Sequence, residues 1–336
     1  MKKRGKGIAC MLYPMDPANK SSSTGVFVKV NHDGTAVIYN GSTDLGQGSN
    51  TALMQIAAET LGIPITDIRF ITSDTELTPY DEGTGASRLT YIVGHAIKDA
   101  CEKARDILFM AASRKLNIPD PRKFIAKNGY IYFDTFPQVN ISIKEAAYIS
   151  EREHGFPVLS SATYGSMSND SDAETGQCRN FEKHIYATQI AEIEVDDETG
   201  EIDILKFVAV HDCGRAINPM MVEGQIEGGI MQGIGYALME EMVEDTQTGQ
   251  LLNNSFANFL LPTAKDLPKE IIVDYVEVPD KDGPYGALGI SEPTPCPVAP
   301  AIVNAFYDAT GVRITKLPLT PERVLKALKE HKKLSC

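Results

Sequence analysis

One carboxylate, Glu292, lies in a segment whose composition could hold it for chemistry. The segment runs from Gly286 to Pro297 and contains two glycines and three prolines, which restrict its backbone. It leads into an apolar run that predicts a helix over Val298–Tyr307. A carboxylate held rigidly among apolar neighbours would be buried, its pKa would rise toward neutral pH, and it could act as a general base. The alternative is a glutamate that is only stabilised by the dipole of the following helix.

Three further segments combine glycine with a small polar side chain: Gly46-Gln47-Gly48, Gly83–Ser87 and Gly224-Gln225. Glycine lets backbone N–H groups approach an anion closely, and a helix that starts behind such a loop favours negative charge. Each segment alone could be an ordinary turn. Together they indicate an extended ligand that carries phosphate and is held by backbone amides and amide side chains. None matches a P-loop, and Gly83–Ser87 falls short of the dinucleotide fingerprint, which needs a third glycine.

The six cysteines are predicted to be small buried thiols in a reducing compartment. They are scattered, with no Cys-x-x-Cys pair and no histidine at zinc-like spacing. His211, Asp212 and Cys213 are adjacent in a predicted strand, where neighbouring side chains point to opposite faces and cannot converge on one ion. We therefore expect no metal ligands and no iron–sulfur cluster from this chain.

Composition and charge are those of an ordinary soluble protein, with a formal net charge of −13 over 336 residues. The lack of a long basic run argues against a nucleic-acid-binding groove. The basic N-terminus is followed by an apolar stretch that ends at Pro14 and is too short for a signal peptide, and no segment reaches the length of a membrane span. The prediction is a cytoplasmic protein that binds neither nucleic acid nor membrane.

The elements that must position these segments follow one order twice. Alternating apolar residues predict hairpins over Gly25–Asn40 and Ile190–Val210, and each is followed by an Asp-x-Gly loop and a helical pattern. This order indicates a weak internal duplication, although hairpins before helices are common. The predicted class is α+β, with antiparallel hairpins packed by helices.

Residues 117–181 are predicted to be irregular, and the predicted domains are 1–165 and 166–336. The other predicted elements are helices Thr51–Leu61 and Ile92–Leu116 and strand Ile68–Thr72.

In combination, these segments resemble the molybdenum-binding part of the xanthine dehydrogenase/aldehyde oxidase family. The resemblance covers nearly the whole chain, and the elements occur in the family's order. The matching segments are Asp44–Gly48, Gly85–Ser87, Asp212–Pro219, Gly224–Gly228, Gly286–Pro293 and Val298–Arg313. The match begins about halfway through the family's usual molybdenum subunit. The chain therefore resembles members with a split subunit, as in nicotinate-hydroxylating enzymes that have large and medium molybdopterin chains.

The resemblance implies a molybdopterin cytosine dinucleotide cofactor whose molybdenum carries a terminal sulfido or selenido ligand. Glu292 would be the catalytic base, and Tyr13 would contact the substrate, unless its ring only packs against a domain edge. Arg179 is a further candidate to pair with a substrate carboxylate. The residues implied to contact the cofactor are Gly46, Gln47, Gly48, Gly85, Ala86, Ser87, Gln225 and Ser291.

Two positions depart from the family's pattern. Ser291 stands where the family usually has glycine, and Leu288 stands where it often has lysine. Neither change removes the base, but both leave the shape of the pocket and the identity of the substrate open.

The implied function is hydroxylation of an N-heteroaromatic substrate, such as nicotinate to 6-hydroxynicotinate, with water as the oxygen source. Purine or xanthine hydroxylation and aldehyde oxidation would use the same loops and base, and a non-catalytic cofactor-binding scaffold is another interpretation. The implied partners are a large molybdopterin subunit that supplies the other half of the site, an iron–sulfur subunit and an FAD subunit. Electrons would leave through the last two, because this chain has neither cysteine clusters nor a dinucleotide fold.

Overall fold

The computed structural model of the protein describes residues 1–15, 22–166, 172–177 and 183–334. Within these ranges lie eleven strands and six α-helices. The strands are β1 (Lys2–Met15), β2 (Ser22–Val30), β3 (Ala36–Asn40), β4 (Ile68–Thr72), β5 (Phe124–Lys127), β6 (Tyr130–Phe133), β7 (Phe136–Ser142), β8 (Val158–Ser166), β9 (Lys183–Asp196), β10 (Ile202–Asp212) and β11 (Glu270–Val276). The helices are α1 (Ser49–Leu61), α2 (Gly94–Leu116), α3 (Ile143–Tyr148), α4 (Pro219–Leu238), α5 (Val298–Thr310) and α6 (Pro321–Leu334). None of the described helices is both long and apolar enough to cross a lipid bilayer.

The first sheet has the strand order β4-β3-β2-β8 and buries one face. In β2, Val26, Val28 and Val30 are buried, whereas Phe27 and Lys29 are exposed, which is the alternation that predicts a half-buried strand. Helix α2 packs on this sheet, and α1 packs on α2, so that both helices contribute to the first hydrophobic core. Strands β2 and β3 form the predicted hairpin, and β4 pairs with β3 in parallel.

The second sheet has the strand order β1-β9-β10-β11. Strands β9 and β10 form the second predicted hairpin, and β11, which follows α4, pairs with β10 in parallel. Helices α4 and α5 contribute to the second hydrophobic core on this sheet. Both halves therefore place a hairpin, a helix and a parallel strand in the same order. The α+β class is confirmed, although each of these two sheets also contains one parallel pair.

Strand β1 is not among the elements that the sequence predicts. It pairs with β9 along its whole length, and α5 lies directly against it. A Cβ on Gly5 would stand 2.2 Å from the carbonyl oxygen of Ala305, and one on Gly7 would stand 2.1 Å from that of Ala301. Only glycine therefore allows α5 to pack this closely on β1. The charged residues around these glycines, Lys2, Lys3, Arg4 and Lys6, make the segment resemble a solvated tail.

The prediction that residues 117–181 are irregular is wrong for much of the described part of this range. It contains a small sheet of order β5-β6-β7, helix α3 and strand β8. Ile131, Ile141 and Ile143 from this region are buried in the first core. The strands of the small sheet are only four to seven residues long, and most of β7 is exposed, so their periodicity is weak.

The division into domains 1–165 and 166–336 stays a prediction. The first core is built from residues between 26 and 162, and the second from residues between 191 and 328. Strand β1 precedes the proposed boundary in sequence but lies in the second sheet. A small cluster around the fully buried Tyr91 includes residues of both halves. The two cores therefore support two halves that share residues at their junction.

Candidate cofactor-binding site

A cavity of about 180 Å³ lies where four segments meet. Its walls come from residues within 45–52, 84–90, 213–225 and 288–292, which are far apart in the sequence. Gly46 and Ala86 belong to these segments but do not line the cavity. The predicted residues that do line it are Gln47, Gly48, Gly85, Ser87, Gln225, Ser291 and Glu292.

Asp44 holds the first of these loops in shape. Its Oδ1 accepts hydrogen bonds from the N–H groups of Gly46 at 2.8 Å and Gly48 at 3.3 Å, and its Oδ2 accepts from the N–H of Asn50 at 3.0 Å. Gly46 and Gly48 have φ angles of 106° and 82°, which glycine adopts without steric strain. The loop therefore enters α1 with a fixed backbone.

The side-chain amide of Gln47 is bonded within its own loop. Its Oε1 accepts from the N–H of Leu45 at 2.6 Å, and its Nε2 donates to Ser49 Oγ at 2.9 Å. A ligand contact by Gln47 would have to add to these bonds or replace one of them. The backbone of this loop is thus better prepared for a ligand than the Gln47 side chain.

A buried ion pair fixes the second loop. The guanidinium of Arg88, a residue that is 2% exposed, pairs with Asp81 at 3.1 Å and donates to the carbonyl oxygen of Gly83 at 2.7 Å. Ala86 and Ser87 then adopt φ angles of 50° and 52°. This left-handed conformation costs an L-residue about 1 to 2 kcal/mol. The ion pair therefore supports a strained turn that brings Ser87 to the cavity.

The loop that carries Glu292 packs directly on this turn. A Cβ on Gly289 would stand 1.9 Å from the carbonyl oxygen of Ser87, so only glycine fits there. The N–H of Glu292 donates to Ser87 Oγ at 3.1 Å. The hydroxyl of Tyr13, on β1, donates to Glu292 Oε2 at 2.7 Å. Glu292 is thus anchored at its backbone by the second loop and at its carboxylate by β1.

The prediction that Glu292 is buried is wrong. The residue is exposed, although Pro293 and Thr294 directly after it are buried. The stiff segment fixes the backbone, but its apolar side chains pack inward while the carboxylate stays at the surface. The neighbouring phenol is more enclosed: burial, and then the hydrogen bond to Glu292, raise the pKa of Tyr13. Tyr13 therefore stays a hydrogen-bond donor to the carboxylate at neutral pH.

The start of α4 forms the opposite wall. Asn218 caps this helix, since its side chain accepts from the N–H of Met221 at 3.2 Å. Gln225, further along α4, lines the cavity, and its amide has no hydrogen-bond partner among the described residues. Arg215 also lines the cavity, is exposed, and forms no ion pair within the described part of the chain. The sequence analysis assigns no role to Arg215 or Asn218. Their position within the segment Asp212–Pro219, which resembles the family, was the only indication that they lie near the site.

The residues His211, Asp212 and Cys213 serve different purposes. His211 is fully buried, and burial lowers its pKa to about 4, so its imidazole is neutral. Asp212 accepts from the N–H of Gly214 at 2.8 Å, whereas Cys213 lines the cavity and burial raises its pKa to about 12. Within residues 1–15, 22–166, 172–177 and 183–334, no group of three or more His, Cys, Asp or Glu side chains could hold a metal ion. Arg179, the candidate for a substrate carboxylate, lies outside these ranges.

Comparisons with known proteins place the same segments in a wider context. Residues 1–268 match the family model of a molybdopterin cofactor-binding domain. The chain is 32% identical over 329 residues to the xanthine dehydrogenase molybdenum-binding subunit of Escherichia coli O157:H7, covering 96% of this chain and 42% of that protein. It is also 32% identical over 331 residues to the aldehyde oxidoreductase of Megalodesulfovibrio gigas, covering 97% of this chain and 32% of that protein.

The fold has close counterparts among solved structures. It matches the crystal structure of quinoline 2-oxidoreductase from Pseudomonas putida 86 with a TM-score of 0.86 and 29% identity, covering 98% of this chain and 42% of that one. The chain therefore spans less than half the length of the relatives that it matches.

Proposed function

The chain belongs to the molybdopterin cofactor-binding family of the xanthine dehydrogenase/aldehyde oxidase type, and on that premise we propose that it forms the base-bearing half of a molybdenum hydroxylase site. The proposed reaction is hydroxylation of an electron-poor N-heteroaromatic ring, with water as the oxygen source. Nicotinate is the proposed substrate and 6-hydroxynicotinate the product. The observation that carries the proposal is the convergence of Glu292 and the glycine-containing loops on one cavity.

The cavity residues fit a cofactor held largely by backbone. A Cβ added to Gly85 would meet no atom within 4 Å, so this glycine leaves room for a ligand at the wall. Ser49, Asn218 and Gln225 add hydroxyl and amide groups, which suit the donor and acceptor edges of a pterin. Arg215 and the N-terminus of α4 favour an anionic group such as the cofactor's phosphate. We propose the cytosine dinucleotide form, because bacterial members that the sequence resembles commonly carry it.

The metal would enter this site on the pterin, since the described residues offer no cluster of metal-ligating side chains. When bound, the cofactor supplies a molybdenum centre that accepts two electrons, with a terminal sulfido or selenido ligand. The chain itself has to bind the cofactor, orient it and handle a proton. Its cofactor contacts are proposed to be the loop residues Gly46, Gln47, Gly48, Gly85, Ala86, Ser87, Gln225 and Ser291.

Glu292 is the proposed proton acceptor. Its Oε2 is occupied by the Tyr13 hydroxyl at 2.7 Å, which orients the carboxylate and leaves Oε1 to accept the proton of the attacking oxygen. Its N–H bond to Ser87 Oγ ties the base to the loop that is proposed to contact the cofactor.

The choice of substrate rests on the resemblance and on the local chemistry of the wall. Leu288, where the family often has lysine, is 7% exposed and lines the cavity as an apolar group, which suits contact with the apolar face of an aromatic ring rather than with its carboxylate. Tyr13 lies beside the base and is the proposed substrate contact. Similarity to a xanthine dehydrogenase subunit and to an aldehyde oxidoreductase makes purines and aldehydes the alternatives that an assay must separate.

Partner chains are proposed because an apolar stripe crosses the outer face of the second sheet. Ile8, Ile190, Val208 and Ile272 are direct neighbours in register, and Ile8 and Ile272 are 54% and 40% exposed. Val208 between them is half-buried, and a largely exposed apolar row of this kind is typical of an interaction surface. We propose that a large molybdopterin chain completes the site, and that iron–sulfur and FAD subunits carry the electrons away.

The test is to purify the native complex through this chain and to measure its molybdenum, iron, selenium and cytosine nucleotide per protomer. Near-stoichiometric molybdenum with cytosine nucleotide and several irons is expected, and selenium would identify the selenido form. The same complex is then assayed with nicotinate, xanthine and an aromatic aldehyde. Turnover of xanthine or aldehyde alone would contradict nicotinate as the substrate and identify the alternative. An intact complex without molybdenum would contradict the hydroxylase proposal and favour a non-catalytic scaffold.

A further inference from the structure

A fully buried polar network lies behind the loop that carries Glu292. Gln189 on β9 and His211 on β10 face the second core, and both are 0% exposed. The other core-facing residues of β9 between Ile185 and Val195 are apolar, so the amide of Gln189 must be compensated by hydrogen bonds to be stable in this position. Its Nε2 lies 2.8 Å from His211 Nε2 and 2.8 Å from the carbonyl oxygen of Thr294, two residues after Glu292.

The chemistry of the three partners leaves one arrangement of protons. The carbonyl oxygen of Thr294 can only accept, so the atom of Gln189 that faces it must be the amide nitrogen. The second N–H of that nitrogen then points at His211 Nε2, which must accept it. His211 is therefore the neutral tautomer that carries its proton on Nδ1. Gln189 Oε1 and His211 Nδ1 are buried and have no partner among the described residues. The two hydrogen bonds donated by Gln189 Nε2 are therefore the side-chain hydrogen bonds that this pair makes.

The other side of Thr294 is held as firmly. Thr294 is 2% exposed, and its hydroxyl donates to the carbonyl oxygen of Ser291 at 2.7 Å, across the Glu292 position. Gly229 of α4 packs against it so closely that a Cβ there would stand 1.9 Å from Thr294 Oγ1. Thr294 thus forms a clamp between the core and the base: Gln189 and α4 hold its inner side, and its hydroxyl closes the turn that presents Glu292.

We propose that Gln189 is a positioning residue, whose amide joins His211 to the Thr294 carbonyl and thereby fixes the loop that carries Glu292. The effect on the base passes through Thr294 and Ser291, since Gln189 is buried behind the loop and does not line the cavity. The expected effect on catalysis rests on the proposed function, whereas the expected effect on the rigidity of the Glu292 loop does not. An isolated glutamine that only filled space could be replaced by an apolar residue of similar length without loosening this loop.

The test uses hydrogen exchange of the full chain, read on the peptide that spans residues 290–298. The N–H groups of Glu292, Thr294 and Cys296 are hydrogen-bonded in the loop, and the intervening prolines have none. Gln189→Met keeps the length of the side chain and removes both N–H donors without burying a charge, and Gln189→Glu leaves at most one donor, the O–H of a protonated carboxyl. Loss of a buried hydrogen bond should speed exchange in this peptide about fivefold to a hundredfold while exchange in α2 stays unchanged. Gln138→Met and Gln138→Glu, at an exposed position of β7, are the matched controls and should alter neither region.

Unchanged exchange at 290–298 in both Gln189 variants overturns the proposal. Equal acceleration in α2 overturns it too, because Gln189 would then support the fold as a whole. In the cofactor-loaded complex, Gln189→Met is expected to lower kcat at least fivefold with KM unchanged, and unchanged kcat despite a loosened loop would refute the catalytic link. If the wild-type complex turns over none of the substrates, the proposed function fails, while the exchange result still decides whether Gln189 holds the loop.

Discussion

Replacing Arg88 by methionine tests how the cavity loops are held. Arg88 is 2% exposed and the side chain of Asp81 is 0% exposed, so the substitution leaves a buried carboxylate without its partner. Breaking a buried pair from one side destabilises a protein by about 3 to 5 kcal/mol. We expect Arg88→Met to lower the free energy of unfolding by that amount. We also expect it to lower the molybdenum content of the complex, because the turn at Ala86 and Ser87 loses its support.

The assay is urea unfolding of the full chain followed by circular dichroism. If the unpaired charge is the cause, adding Asp81→Asn to Arg88→Met should recover at least half of the loss, since an amide needs no counter-charge. Arg114→Met, at an exposed position of α2, is the matched control and should stay within about 0.5 kcal/mol of the wild type. A loss of less than about 1 kcal/mol for Arg88→Met would refute the reasoning.

Two further predictions concern Tyr13 and His211. Tyr13→Phe removes the O–H that orients Glu292, so kcat of the complex should fall about tenfold, or about 1.4 kcal/mol, in steady-state assays. A higher KM with unchanged kcat would instead make Tyr13 a substrate contact only. In the unfolded chain the imidazole of His211 takes up a proton as the pH falls below its ordinary pKa of 6.5, whereas in the folded protein burial lowers this pKa to about 4. The contribution of His211 to the free energy of unfolding is therefore lost as the pH falls from 6.5 to about 4. Between pH 7 and pH 5 this loss should amount to about 2 kcal/mol, measured by urea unfolding, and an equal pH dependence in His211→Asn would contradict this assignment.

The sequence predicts the main elements of both halves because their apolar residues alternate or repeat with clear periods. The hairpins β2–β3 and β9–β10 and the helices α1, α2 and α5 are confirmed, although β9 begins at Lys183, seven residues before the predicted start at Ile190. Strand β1 could not be predicted, since its identity depends on α5 resting on Gly5 and Gly7, a contact between residues about 300 positions apart. The small sheet β5-β6-β7 was missed because short, exposed strands carry little periodicity.

For the site, the sequence could indicate which loops meet but not how each side chain would be used. The glycine-containing segments and Glu292 do converge on one cavity. Exposure depends on which side of a rigid loop faces the core, so the burial of Glu292 was predicted wrongly. The supports behind the loops, Arg88 with Asp81 and Gln189 with His211, are single polar residues in apolar surroundings. Their partners are set by tertiary contacts, and no local pattern identifies them.

The central claim is that Glu292 is the base of a molybdenum hydroxylase site, and Glu292→Gln in the native complex tests it most directly. The amide keeps the shape of the side chain but cannot accept the proton, so turnover of nicotinate should be lost while molybdenum content and assembly remain at wild-type levels. Glu330→Gln, at an exposed position of α6, is the matched control and should keep full activity. Wild-type turnover in the Glu292→Gln complex would contradict the account and leave the chain as a cofactor-binding scaffold.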